Sequence, residues 1–287
     1  MRSSPFADKL RPAIRAVSWA FVLVISLFIQ NLPARAASKS EIVEFLKVTG
    51  FDVAITSLQQ GAMAGPGLTG EDPDRFGRQW TRLAEQVFDP DEMLEDAVDM
   101  LGAVLPDPLL AHGVGFYASP LGQRIVAVEN ESHVTDDEVK FREGEALVTA
   151  MLDENSIRLQ LFRAMGEAIG STETAIRSFV EIQLRYLLAA MAAGASDLDV
   201  SEEDLRLMLM SGADEMRRAM DANSLILNAY AYRDLTDDEL IDYLSALQDP
   251  KMGQVYEILN GVQYEIMGDR YEQLATRLSD LAPEQEL

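Results

Sequence analysis

Two histidines, thirteen methionines and no cysteine bound the chemistry open to this 287-residue chain. Without a thiol there is no thiol nucleophile, no thiolate metal site and no disulfide exchange. His112 and His133 lie far apart and do not form the His-x-x-x-His pair that zinc sites favour, so each reads as an ordinary half-exposed histidine. No Gly-x-Ser-x-Gly elbow is present. Gly113-Val114-Gly115-Phe116-Tyr117-Ala118 matches a relaxed dinucleotide pattern, but it lies in a helical stretch with no strand before it. Asp72-Pro73-Asp74 and Asp89-Pro90-Asp91 begin a calcium-loop pattern and do not finish it. Met208, Met210, Met216 and Met220 fall close together, as copper(I) ligands would, since a soft thioether suits a soft ion. Methionine is also an adaptable core filler, and that is the preferred reading. Tyr230, Tyr232, Tyr243, Tyr256, Tyr264 and Tyr271 crowd the last sixty residues, suited to helix packing or to lining a ligand groove, with packing preferred. No catalytic, cofactor-binding or metal-ligating residue is assigned, and no cofactor is expected.

The elements that would position these groups are helices. Apolar residues recur at helical spacing: Ile42, Phe45 and Leu46; Met93, Leu94, Val98 and Leu101; Ile176, Phe179, Val180, Leu184, Leu187, Leu188 and Met191. Met252, Val255, Tyr256, Leu259, Val262 and Ile266 open a long C-terminal helix expected to end near Leu281. Ser38 with Glu41, Thr135 with Glu138 and Thr236 with Glu239 have capping-box spacing, and Asp89-Pro90 places a cap before a proline at the first helical position. Arg177, Glu181 and Arg185 repeat every four residues, as a surface ion-pair ladder would. The pattern lapses over residues 61–74, 106–108, 129–135 and 194–201, and the third lapse is the best boundary between two halves. The fold class is therefore all-α, a bundle of about ten to thirteen helices built from two related halves.

The relation between halves rests on a repeat. Shifted by 130 residues, Asp107 falls on Asp237, Leu110 on Leu240, Val114 on Leu244, Tyr117 on Leu247 and Pro120 on Pro250. Each copy reads as a helix–corner–helix joint, capped by Ser119 or Asp249 and restarted at Pro120 or Pro250. Gly122 and Gly253 follow, the second after one extra residue, and each is expected to allow close helix contact. Residues 116–124, Phe-Tyr-Ala-Ser-Pro-Leu-Gly-Gln-Arg, resemble the signature of the bacterial domain of unknown function 2059 family. Residues 45–50 resemble that family's opening helix, residues 236–240 its helix start and residues 249–254 its joint. The aromatic pair is missing at Ala246-Leu247. The resemblance covers residues 41–130 well and 156–266 more loosely. It implies an exported helical protein with two diverged copies, and it brings no activity or catalytic residues.

Export is expected on independent grounds. Lys9, Arg11 and Arg15 precede the apolar run over residues 20–29, and Ala34-Arg35-Ala36 offers small residues for cleavage after Ala36. That run is half of what a membrane span needs, about 20 residues. The division expected is thus a signal peptide over 1–36, one helical repeat over 37–134 and a second over 135–287, in the periplasm or secreted. Formal charge is −24 for the whole chain. Cleavage removes Arg2, Lys9, Arg11, Arg15 and Arg35 against one acid, Asp8, and leaves the remainder more acidic still. Such a surface repels nucleic acid and anionic lipid, which need Lys and Arg to displace counterions. The function expected is a non-enzymatic interaction or ligand-binding module with a protein or small-ligand partner. The alternatives are a hydrolase working through carboxylates and a copper-handling protein using the Met208–Met220 cluster.

Overall fold

A computed structural model describes residues 37–63 and 78–278, apart from Asp197 and the side chain of Ser171. The expected signal peptide and most of the expected loop at 61–74 lie outside the described residues. The described residues form an all-α bundle without a strand, built of twelve helices of ten residues or more and two of six. In chain order these are α1 (Lys39–Thr49), α2 (Phe51–Thr56), α3 (Leu58–Met63), α4 (Arg78–Val87), α5 (Pro90–Val104), α6 (Asp107–Tyr117) and α7 (Pro120–Val134). There follow α8 (Asp137–Asp153), α9 (Arg158–Ala168), α10 (Ser171–Ala193), α11 (Glu202–Ser211), α12 (Ala213–Ala231), α13 (Asp237–Leu247) and α14 (Pro250–Arg277). No helix among them is long and apolar enough to cross a membrane.

Local chemistry sets most helix starts. Ser38 with Glu41 and Thr236 with Glu239 make reciprocal capping boxes that satisfy two orphan amides each. Asp89 caps α5 ahead of Pro90. The third expected box differs: Asp136, not Thr135, caps α8, through the Glu138 amide at 2.9 Å. Thr135 is occupied closing α7, its hydroxyl donating to the Glu131 carbonyl at 2.7 Å. That donation reflects a second difference, for α7 runs on to Val134 and fills most of the lapse expected over 129–135. One buried apolar cluster extends from Ile42 to Leu278, across the expected boundary at 134.

α14 is the spine of the bundle. It packs along α10 and also against α4, α5, α6 and α13. Two arginines fasten it. Arg270, buried on α14, donates from Nη1 to the Val87 carbonyl at 3.2 Å and to Glu92 Oε2 at 2.9 Å, and its Nη2 reaches Asp96. Arg185 on α10 reaches Glu265, Asp269 and Glu272 of α14. The surface ladder expected of Arg177, Glu181 and Arg185 is therefore not formed: Arg185 turns inward to α14, and Glu181 pairs with Arg206 at 2.7 Å. α8 lies along α12 and comes closest at Gly144, where a Cβ would sit 2.3 Å from the Ile226 carbonyl oxygen.

Candidate functional site: a tyrosine-backed cavity between two joints

The two joints are framed alike. α6 and α13 span equivalent residues at an offset of 130, and Pro120 and Pro250 both stand at the first position of the next helix. Ser119 Oγ accepts from the Gly122 amide at 3.0 Å, and Asp249 Oδ1 accepts from the Lys251 amide at 2.8 Å. From 113 to 120 and from 243 to 250 the succession of buried, half-buried and exposed residues is the same. Tyr117 and Leu247 are buried, and Val114 and Leu244 are half-buried against the core. His112 Nε2 lies 3.3 Å from Asp249 Oδ1, so the cap of one joint also meets the helix of the other.

The glycines differ. At Gly122 a Cβ would lie 2.3 Å from the Phe116 carbonyl oxygen and 2.5 Å from Tyr117 Cα, which are backbone atoms and cannot swing away. At Gly253 the nearest atom is the Ala168 carbonyl oxygen at 3.9 Å. The close contact expected at both joints is thus made at Gly122 alone. Met252, buried, takes the equivalent place in the second joint, and no inserted residue is needed to bring buried Ile125 onto buried Val255.

Between the joints lies a cavity of about 410 Å³. Residues at equivalent places in the repeat face into it from both sides: Tyr117 and Leu247, then Glu129 and Leu259. Tyr232 and Tyr243 direct their hydroxyls at Glu129 Oε1, donating at 2.6 and 3.0 Å. Tyr243 Oη is 2.9 Å from Tyr256 Oη and 3.3 Å from Tyr117 Oη, and Tyr117 and Tyr256 also touch through their hydroxyls. Because Tyr243 spends its one proton on Glu129, its oxygen can only accept within the cluster, and the two protons of Tyr117 and Tyr256 are shared among the three hydroxyl contacts. Through Tyr243 the hydroxyls of Tyr117 and Tyr256 are thus linked to Glu129, with Tyr232 joining from the side. Ring packing fixes the set: Phe116 stacks on Tyr243 at 5.9 Å, and Tyr232 meets Tyr243 edge-on at 6.0 Å.

Burial pushes the Glu129 carboxyl above its ordinary range, against the lowering effect of the Tyr232 and Tyr243 hydrogen bonds. Burial, with the nearby Glu129 charge, also raises Tyr232, Tyr243 and Tyr256 well above the usual phenol value. All four hydroxyls thus stay protonated at neutral pH. No Lys or Arg pairs with Glu129 among the described residues. Lys140 lines the same cavity but is held by Asp137 at 2.7 Å. His133 stands on the rim.

Of the residues singled out from sequence, Tyr232, Tyr243 and Tyr256 meet here, whereas Tyr230, Tyr264 and Tyr271 do not line the cavity. Met208 and Met210 are exposed on α11, 55% and 43% accessible, and do not fill the core. Asp89 is occupied as a helix cap, and Asp72 and Asp74 lie outside the described residues. Among the described residues no group of three or more His, Asp or Glu is arranged to hold a metal ion. Sequence reasoning missed Glu129, and it placed Tyr117 in the repeat without assigning it to a site. No protein-family model, curated protein or solved structure matches the chain.

Proposed function

We propose that this chain is an exported, non-enzymatic ligand-binding protein whose small-molecule ligand occupies the cavity between the two joints. The observation that carries the reading is Glu129: a carboxylate at the back of a cavity, held by two phenol hydroxyls and paired with no cationic side chain among the described residues. A ligand that brings hydrogen-bond donors into the cavity would complete its shell. The cavity volume lies in the range of small-molecule sites, roughly 300–1,000 Å³, and its wall combines apolar side chains with a few convergent polar groups. Glu129 is the sole acid among the described residues lining it. This favours binding over a hydrolase that would need two carboxyls facing one substrate. Export is supported by the basic, apolar and small-residue sequence of the first 36 positions, and N-terminal sequencing of the secreted form should begin at Ala37. Kinship with the domain of unknown function 2059 family is supported by residues 116–124 and the second, looser joint.

Native mass spectrometry of the exported protein, purified without denaturation, tests the reading. A non-covalent small-molecule mass should accompany the native chain and be lost on Leu227→Trp, which fills the cavity. A native chain that carries no small molecule, and gains no thermal stability from a metabolite extract, sinks it.

A further inference from the structure

We infer that the ligand is an organic cation, an ammonium group on an apolar body, with the ammonium seated on Glu129 and the body lying along Met165, Ile169, Leu227 and Leu259. The inference rests on the cavity reading above and names the chemistry of its occupant. Three independent features point to it.

The first is hydrogen-bond bookkeeping. Both tyrosine donations to Glu129 fall on Oε1. Oε2 receives no hydrogen bond from the described residues. Every hydroxyl proton in the cluster is spent on the carboxylate or on a neighbouring phenol, so what remains free at this wall is acceptor capacity: lone pairs on Oε2 and on the phenol oxygens. A wall of spare acceptors around one negative charge is the complement of a group with several N–H donors and a positive charge. An ammonium is such a group. An anion would be repelled by the Glu129 charge and would find donors only among the other residues lining the cavity, such as Asn130, Asn228 and Lys140.

The second is the apolar surface. Met165, Ile169, Leu227 and Leu259 line the cavity beside the polar end. A bare metal ion or a free ammonium ion would leave that surface unfilled, whereas an aliphatic or aromatic stem would bury it.

The third is the approach. A second cavity, of about 380 Å³, is lined by Gly166 and Ser224 in common with the first, so the two adjoin between α9 and α12. Its other walls carry Glu167, Asp221 and Glu173, the last paired with Arg217 at 2.9 Å, with Arg163 as a further cation. With a formal charge of −24 over the whole chain, the surrounding field draws cations toward this opening and repels anions. Lys140, which lines the first cavity, is paired with Asp137 at 2.7 Å.

Isothermal titration of the mature protein at neutral pH tests the inference with three matched probes: phenethylamine, 2-phenylethanol and phenylacetate. The amine should bind, the alcohol at least tenfold more weakly, and the acid not at all. Glu129→Gln, which keeps the shape and the acceptor for Tyr232, should cost the amine tenfold or more and leave the alcohol unchanged. Tyr243→Phe gives a second variant should Glu129→Gln fail to fold, and should weaken the amine several-fold. Amine affinity should also fall as pH is lowered and Glu129 takes up its proton. Equal binding of alcohol or acid, or full amine affinity in Glu129→Gln, overturns the cation. If Leu227→Trp still abolishes that binding, the ligand-binding reading survives without it. Failure of all three probes also overturns the cation inference, and the native mass then decides the broader reading alone.

Discussion

The two joints share a frame and differ in what they carry. α6–α7 and α13–α14 turn at equivalent prolines, cap with equivalent side chains and bury the same succession of positions around the corner. Yet joint one closes on a glycine pressed against backbone, and joint two on a buried methionine. Joint one has Gly113 where joint two has Tyr243, and a Cβ at 113 would come within 2.9 Å of the Phe45 ring. Joint one has Glu129 where joint two has the apolar Leu259. The difference teaches that the corner is set by proline and cap, while the helix faces beyond it are free to diverge. The divergence falls on the cavity they enclose.

The sharpest test sets the two glycines against each other. Gly122→Ala should cost about 3 kcal/mol, because its Cβ meets backbone that cannot yield. Gly253→Ala should stabilise by about 0.5–1 kcal/mol, the ordinary gain of alanine over glycine within a helix. Urea unfolding of both variants reads the contrast, and equal losses would return the second glycine to the role expected of it from sequence. A smaller contrast lies in the hydroxyls. Tyr243→Phe removes a donor to Glu129 and the acceptor that links the other tyrosines to it, and should cost about 1.5 kcal/mol. Tyr117→Phe removes a hydroxyl that does not touch Glu129 and should cost about 0.5 kcal/mol. Ser119→Ala should cost about 1 kcal/mol through its cap, and Asp249→Ala slightly more, since Asp249 also meets His112. A Ser119 loss exceeding that at Asp249 would place the His112 contact among those that contribute nothing.

The smallest effect is a dependence on pH. Glu129 faces Tyr117, Tyr232, Tyr243 and Tyr256, with Lys140 and His133 lining the same cavity. Its folded pKa is raised above the ordinary 4.5, so within the window between the two values the folded chain holds a proton that the unfolded chain has released. Stability is therefore lost as pH rises through that window. Glu129→Gln does not titrate, so it should be the more stable protein at neutral pH, with the gap closing as pH falls below 4.5. Thermal melts of both forms across that range give the answer. A gap that widens toward acid would mean that the tyrosine hydrogen bonds outweigh burial.

How far the sequence disclosed this arrangement depends on distance along the chain. Ser38 with Glu41 and Thr236 with Glu239 are legible because a capping box is complete within four residues. Pro120 and Pro250 are legible because proline is tolerated at a helix start and costly inside a helix. Thr135 was misread because two adjacent side chains could each serve as cap, and only the length of α7 decides between them. The tyrosine cluster was half visible: Tyr232, Tyr243 and Tyr256 stood out by crowding. Glu129 did not, because its hydroxyl partners lie 103 and 114 residues away and no local pattern links them. A signal existed, however. At the repeat offset of 130, Glu129 falls on Leu259, and an acid standing at an apolar position of a repeat is a place to look for function. Gly253 misled for the opposite reason: pairing it with Gly122 introduced an extra residue, when position for position its joint had already filled that place with Met252.

The position of α14 also sets the order of events when the chain is made. Its side of the core is contributed by residues 250–277, the last of the described helices in chain order, while the surfaces it covers on α4, α5, α6 and α10 are synthesised well before it. Arg270 reaches a carbonyl 183 residues earlier in the chain. Until those final residues arrive, an open apolar trough faces water, and the contacts that would close it are among the most distant in sequence. Such contacts are slow to form, and incomplete chains that expose them aggregate. Consolidation therefore waits for residues 250–277, and a stop codon ahead of residue 250 should yield insoluble protein rather than a shorter, folded one.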